Sequence, residues 1–195
     1  MSPEAKAPAT AADVVYLTDA RASQFTVQVF AGGLLSSFGH SPTISIRGFA
    51  GEARANPEDL HNASLKLIIQ AESLAVRDDI SDKDRNEIER TMKQDVLEVS
   101  SYPEIVYDCS DIVAAKSGAG QYSATLNGEL TLHGTSRPQP VTARVTLTED
   151  SLRAFGNFSI LQSDYDLKPV KVAGGALKVK DELKFSFNIL ARKKD

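Results

Sequence analysis

The side chains that could act in chemistry are few and scattered along the chain. The three histidines are His40, His61 and His133, and the single cysteine is Cys109. No histidine has carboxylate or thiol neighbours at the spacing of a zinc site, so we predict no metal and no cofactor. Cys109 has no basic neighbour in sequence that would favour a thiolate, and no Gly-x-Ser-x-Gly motif is present. These residues therefore predict no catalytic site and no enzyme.

His40 is the histidine with the most functional potential, because it lies in a loop of small residues, Gly39-His40-Ser41-Pro42. Its ring nitrogens could contact a polar head group. A histidine that hydrogen-bonds the local backbone is the simpler alternative. A further alternative is a hydrolase or isomerase that acts at the mouth of a barrel through His40 and its polar neighbours.

Acidic residues cluster before and within a predicted helix, which raises the possibility of calcium binding. The cluster has no glycine at the sixth position of a usable loop and no acidic residue ending one in register, so it does not fit the EF-hand pattern. Carboxylates at the start of a helix are stabilised by the helix dipole, which explains them better. The residues are Asp78, Asp79, Asp82, Asp84, Glu87 and Glu89.

Composition narrows the class of protein. With 195 residues, 22 Lys and Arg against 26 Asp and Glu, and a net charge of −4, the chain is an improbable nucleic-acid binder. No apolar run reaches the ~18 residues of a membrane helix. We expect residues 1–12 to be a flexible leader and residues 13–195 to be one domain. The displayed N-terminus has no export signal, which favours the cytoplasm, or the periplasm if a signal was removed.

Apolar and polar residues alternate in segment after segment, which is the period of a β-strand with one buried face. Phe25 begins the first such run and Leu183 the last, and turn signals separate about eight of them. One predicted turn is Arg137-Pro138-Gln139-Pro140. Helical spacing occurs once, over Ser81 to Val99, with Asp82 or Asp84 as the candidate cap and Tyr102-Pro103 as the end.

One helix cannot cover a large sheet, so we predict that the sheet closes into an all-β, antiparallel, up-and-down barrel with the helix inserted between the fourth and fifth strands. Such a barrel is too wide for side chains alone, and small residues such as Ala124, Ala143 and Ala154 share the inward face. A fully packed scaffold or interaction protein is the alternative. The predicted cavity wall comprises Phe25, Val27, Val29, Ile44, Ile46, Leu67, Ile69, Ile105, Tyr107, Leu126, Leu130, Val145, Phe158, Phe185 and Phe187.

Several phrases, in this order and spacing, resemble the YceI-like family over nearly the whole chain. The region from Arg85 to Leu97 departs from the commoner Arg-Asp and Phe-Phe pattern and resembles a divergent branch. The matching phrases are Phe25-Thr26-Val27, Gly39-His40, Arg47-Gly48-Phe49-Ala50-Gly51, Ser73-Leu74, Tyr102-Pro103-Glu104-Ile105, Leu126 to Thr135, Gly156-Asn157-Phe158 and Asp164-Tyr165.

The resemblance implies an extended lipocalin-like β-barrel that holds a polyisoprenoid or similar lipid in its interior. It further implies transport in a bacterial periplasm, with a lipid as partner, neither nucleic acid nor a membrane span, and a homodimer as an open possibility. The ligand and the role of the linker helix at the barrel mouth stay open at this point.

Overall fold

Antiparallel strands make up most of the chain, as the alternation predicts. The computed structural model describes residues 13–32, 41–168, 171–172 and 177–194. Its strands are β1 (Val14–Thr18), β2 (Gln24–Gly32), β3 (Thr43–Ile46), β4 (Phe49–Asn56), β5 (Asp59–Gln70), β6 (Leu74–Val76), β7 (Glu104–Cys109), β8 (Ile112–Gly118), β9 (Gln121–Leu132), β10 (Thr135–Leu147), β11 (Ser151–Leu161), β12 (Lys171–Val172) and β13 (Leu177–Lys193).

The strands hydrogen-bond into a closed ring in the order β1, β4, β5, β7, β9, β10, β11 and β13, and β13 returns to β1. Four of these ring members are continued end to end by a second segment. For example, β13 pairs with β2 through Lys178 to Asn188 and with β1 through Ala191 to Lys193. The predicted antiparallel barrel of eight strands is confirmed, with each of the first four strands divided in two.

Local contacts explain two of these divisions. A 3-10 turn over Ala20–Ala22 separates β1 from β2, and Asp19 caps it by accepting a hydrogen bond from the Ala22 N–H at 3.1 Å. Between β3 and β4 lies Gly48, where an added Cβ would stand 2.7 Å from the Cβ of Ser73. Glycine is needed there because the two backbones approach too closely for any side chain.

The helical segment is shorter than predicted and is inserted one strand earlier. Helix α1 spans Asp82–Arg90 and continues as a π-helical segment over Thr91–Val96, so it ends before Tyr102-Pro103. Its N-cap is Ser81, not Asp82 or Asp84, because the Ser81 hydroxyl accepts from the Asp84 N–H. The six strand segments before the helix join end to end, two at a time, and make three barrel strands. The helix therefore follows the third barrel strand.

The turn predicted at residues 137–140 is wrong, because Pro138 and Pro140 lie inside β10. The chain instead reverses at His133 and Gly134, which have φ of 51° and 74°, the signs of a type I′ hairpin turn. The prolines are tolerated because β11 pairs with β10 only from Ala143 onward, which leaves a stretch where a missing N–H costs no ladder bond.

Side-chain direction follows the alternation closely along β9, where every second residue from Tyr122 to Leu132 is buried and all of the residues between them are exposed or half-buried. The buried faces of the eight strands meet inside the ring and form one core. No helix in the described part of the chain is long and apolar enough to cross a membrane.

Candidate functional site

The barrel encloses a cavity of about 870 Å³, which is within the usual range for small-molecule sites. On β13 alone its lining runs from Val179 to Ala191. Twelve residue steps of about 3.3 Å, on a strand tilted by roughly 40°, correspond to a cavity about 30 Å long. The space is therefore elongated, as a chain-like ligand would require.

All of the predicted wall residues line this cavity. They come from strands far apart in sequence, because each strand contributes its inward face to the same space. Contact with a ligand stays a prediction for every one of them. The residues are Phe25, Val27, Val29, Ile44, Ile46, Leu67, Ile69, Ile105, Tyr107, Leu126, Leu130, Val145, Phe158, Phe185 and Phe187.

Side chains do not fill the interior of the ring, which contains a cavity bordered by the core residues. Phe158, Phe185 and Phe187 point inward in a closed ring, yet each is only half-buried. Phe158 and Phe185 stack face to face with 4.6 Å between ring centroids, so their exposed surface is not explained by poor mutual packing. An inward side chain in a closed barrel keeps accessible surface only if it borders a void.

Glycine and alanine shape the wall in two different ways. Ala124, Ala143 and Ala154 line the cavity and leave room for a ligand. Gly128 leaves room for a protein ring instead, because an added Cβ would lie 2.4 Å from Cζ of Tyr107. Gly156 leaves room for Phe187 in the same way, because an added Cβ would lie 2.8 Å from its ring. The rings of Tyr107 and Phe187 lie against these two glycines and form part of the cavity surface.

Tyr107 is fixed against the wall by its hydroxyl group. The hydroxyl lies 3.1 Å from the carbonyl of Leu126 and 3.0 Å from the carbonyl of Gln139. Burial is the main cause of a raised pKa for Tyr107, so the phenol stays neutral at physiological pH. Its polar atom is thus engaged with the backbone, and its ring presents an apolar face to the cavity.

Several large side chains are buried at the end of the barrel opposite the helix. Tyr16, Leu60 and Leu147 are buried there, and the hydroxyl of Tyr122 lies 3.2 Å from the Glu58 carbonyl in the turn between β4 and β5. This contact links the start of β9 to the turn between β4 and β5.

The helical segment also contributes residues to the cavity wall. The wall residues predicted from the sequence did not include them. Ile88, Met92 and Val96 line the cavity at the end near α1, and Leu97 follows them. Their spacing of four residues was the available signal, since it places them on one face of a helix. The segment therefore covers one end of the cavity, which we call the helix end.

Gln162 is a buried polar residue on the cavity wall, and the sequence analysis missed it. It lies in a 3-10 turn over Gln162–Tyr165 and is 4% exposed. Its side-chain Nε2 donates to the Lys180 carbonyl at 2.9 Å. No periodicity marks a residue in a 3-10 turn, so only the assembled structure reveals it.

The other candidates for chemistry are not assembled into a catalytic site among the described residues. Cys109 is buried, and burial raises the pKa of its thiol, which makes it a poor nucleophile. His133 contacts Glu98 at 2.6 Å on the outside of the barrel. His40 lies outside the described residues, as does the side chain of His61. The described chain contains no cluster of three or more metal-ligating side chains.

A closed antiparallel barrel around a long apolar cavity defines a lipocalin-like class of protein. The sequence matches the family model of the YceI-like domain over residues 16–191, so the chain belongs to the YceI-like family. This confirms the family predicted from sequence. A search of curated proteins found no match.

Several solved structures share the fold, among them the following three. Burkholderia cenocepacia BcnA is 18% identical with a TM-score of 0.66 and covers 89% of this chain and 98% of its own. A polyisoprenoid binding domain from Saccharophagus degradans is 15% identical with a TM-score of 0.63, covering 93% and 99%. A Campylobacter jejuni YCEI protein is 13% identical with a TM-score of 0.53, covering 78% and 85%.

Proposed function

We propose that the protein binds or carries a long apolar molecule, a polyisoprenoid or similar lipid, inside the barrel and performs no chemistry on it. The observation that carries this proposal is the elongated void bordered by half-buried inward aromatic rings. Membership of the YceI-like family and the polyisoprenoid binding domain of similar fold support it further.

Energetics favour an apolar chain in such a space. Each methylene moved from water into an apolar wall contributes about 0.8 kcal/mol, so ten buried methylenes contribute roughly 8 kcal/mol before association costs. A charged anchor is then unnecessary for useful affinity. Binding is spread over many wall residues, so few single positions look special in the sequence.

The first experiment extracts purified protein with organic solvent and searches the extract for lipid by mass spectrometry. Recovery of a stoichiometric long-chain lipid supports the proposal. Protein that yields no lipid and also fails to take up an apolar fluorescent probe would favour the packed scaffold instead.

A pair of matched variants locates binding in the cavity. Ala154→Phe places a new ring on the inward face of β11, while Ser159→Phe places the same ring on the outward face of that strand. We expect the inward variant to lose about tenfold or more in probe affinity and the outward variant to bind as the unmodified protein does. Equal binding by both variants contradicts an internal site.

A further inference from the structure

The barrel wall has a gap beside β6 at the helix end of the cavity. β6 pairs with β3 through Leu74 to Val76, and no strand within the described ranges pairs with its other edge. β7 lies beside β5 only as far as Gln70, which pairs with Glu104, and β6 begins beyond that point. Among the described residues, β6 therefore has one edge without a neighbouring strand.

Side chains of α1 bond the backbone groups of this edge. The Val76 N–H donates to Glu89 Oε1 at 2.8 Å. Arg85 donates to the Val76 carbonyl at 2.6 Å and, through its other terminal nitrogen, to the Asp78 carbonyl at 2.9 Å. In an antiparallel sheet the backbone of a neighbouring strand would make the two bonds with Val76. We call Arg85 and Glu89 the latch.

The helical segment covers the cavity without being buried in the barrel. None of the residues from Asp82 to Val96 is buried. Its inward apolar side chains, Ile88, Met92 and Val96, are half-buried and border the cavity. Segments with few buried contacts open locally at a lower cost than the core of a domain. Release of this segment from β6 breaks no bond of the strand ladder.

The chain just after the segment is fixed to the barrel. Leu97 is buried, and the Glu98 carboxylate lies 2.6 Å from Nε2 of His133 in the turn between β9 and β10. The ring of Tyr102 packs on that histidine with 4.3 Å between the ring centroids. Gly134 leaves room for this ring, because an added Cβ would stand 2.7 Å from it. The helical segment is thus anchored at one end and held by the latch near the other.

We propose that the helical segment is a lid over the gap beside β6, and that the ligand enters and leaves the cavity there after the latch has released Val76. This inference rests on the proposed binding of an apolar molecule in the cavity, and it adds the route by which that molecule passes the wall. Neither Arg85 nor Glu89 lines the cavity, so both are positioning residues. Loss of the latch destabilises the closed lid equally with and without ligand, so it changes rates and not the equilibrium.

Stopped-flow binding of Nile red, a neutral apolar dye, measures both rate constants. Arg85→Ala and Glu89→Ala should each raise the association and dissociation rate constants about tenfold, because each removes a hydrogen bond to a charged group that opening has to break. Kd should change by less than about threefold, since the two rate constants rise together.

Two further variants serve as controls for the latch. Glu89→Gln keeps an acceptor oxygen for the Val76 N–H, so its rate constants should lie closer to those of the unmodified protein. Arg90→Ala removes the same charge from the same helix as Arg85→Ala, but Arg90 pairs with Asp95 within the segment itself. We expect Arg90→Ala to exchange the dye as the unmodified protein does.

A reversible cross-link tests the lid in the closed position. Glu72, in the turn before β6, and Lys93, in the helical segment, form an ion pair at 3.2 Å. In a Glu72→Cys, Lys93→Cys variant the two thiols can be joined by a short bis-maleimide that contains a disulfide, while Cys109 is buried. The cross-linked protein should exchange Nile red at least about tenfold more slowly, and reduction of the linker should restore the rate.

Unchanged exchange in the cross-linked protein overturns the inference, because the dye then passes the wall elsewhere. Latch variants with unchanged rate constants, or with faster dissociation alone, also overturn it, since the segment would then contribute ligand contacts and no gate. These results leave the binding of an apolar molecule intact. The comparison before and after reduction uses one sample and does not depend on the latch variants. If the unmodified protein takes up neither Nile red nor lipid, the proposed function itself fails.

Discussion

Replacing Gly128 by alanine should destabilise the barrel by displacing Tyr107 from the wall. The new Cβ would lie 2.4 Å from Cζ and 2.5 Å from the hydroxyl oxygen of Tyr107, and 2.9 Å from the carbonyl oxygen of Asp108. These separations are far below contact distance, so the ring must move. The same hydroxyl has one hydrogen, which lies within reach of the carbonyls of Leu126 and Gln139, and this hydrogen bond would be strained or lost.

The expected magnitude follows from these contacts. Overpacking a core position costs about 1–3 kcal/mol, and the lost hydrogen bond about 1 kcal/mol. Replacing glycine returns about 0.4–1 kcal/mol by restricting the unfolded chain. We therefore expect a net loss of about 2–3 kcal/mol in unfolding free energy, or roughly 5–10 °C in Tm for a chain of this size.

Chemical denaturation followed by circular dichroism measures this loss on protein freed of lipid, because bound ligand would stabilise the folded state. Gly118→Ala is the matched control. There the new Cβ meets only the flexible end of Gln121 at 3.3 Å, and we expect a change within about 0.5 kcal/mol.

A double-mutant cycle isolates the cause. In a Tyr107→Leu background the clash with the ring is absent and only the contact with the Asp108 carbonyl remains, so Gly128→Ala should cost about 1 kcal/mol or more less than it does in the unmodified protein. A cost equal in both backgrounds would refute the close packing of this ring on the glycine. A Gly128→Ala variant as stable as the unmodified protein would refute it directly.

Three further predictions follow from burial and capping. Burial raises the pKa of Tyr16, Tyr107 and Tyr165 above the unfolded pKa near 10. The neutral phenols therefore stabilise the fold below about pH 10, and this stability is lost as the pH rises toward their folded pKa values. Ultraviolet titration should show phenols that ionise only at higher pH or together with unfolding. Cys109 should resist thiol reagents at pH 8 in the native protein and react at once in denaturant, and rapid native labelling would contradict its burial. Ser81→Ala removes the N-cap of α1, worth about 1 kcal/mol, so amides in the first turn should exchange hydrogen about fivefold faster, with unchanged exchange counting against the cap.

The sequence by itself determined the barrel and its inward face. Side-chain direction in a strand is a local property, since successive residues point to opposite sides, and the run from Tyr122 to Leu132 already shows which side is buried. The local sequence predicted the structure less well where the outcome depends on a neighbouring strand. Pro138 and Pro140 predicted a turn, yet they fit within β10 because the adjacent strand begins its pairing farther along.

Only the tertiary structure decided whether the interior contains a cavity and which residues outside the predicted strand faces line it. A cavity depends on the circumference of the closed ring and not on any local pattern. The sequence of a packed barrel and that of a hollow one would show the same inward-facing phenylalanines. Gln162 joins the cavity wall from a 3-10 turn, and its position beside Lys180 comes from the pairing of β11 with β13. Register is set by the whole sheet, so no local pattern in the sequence marks this position.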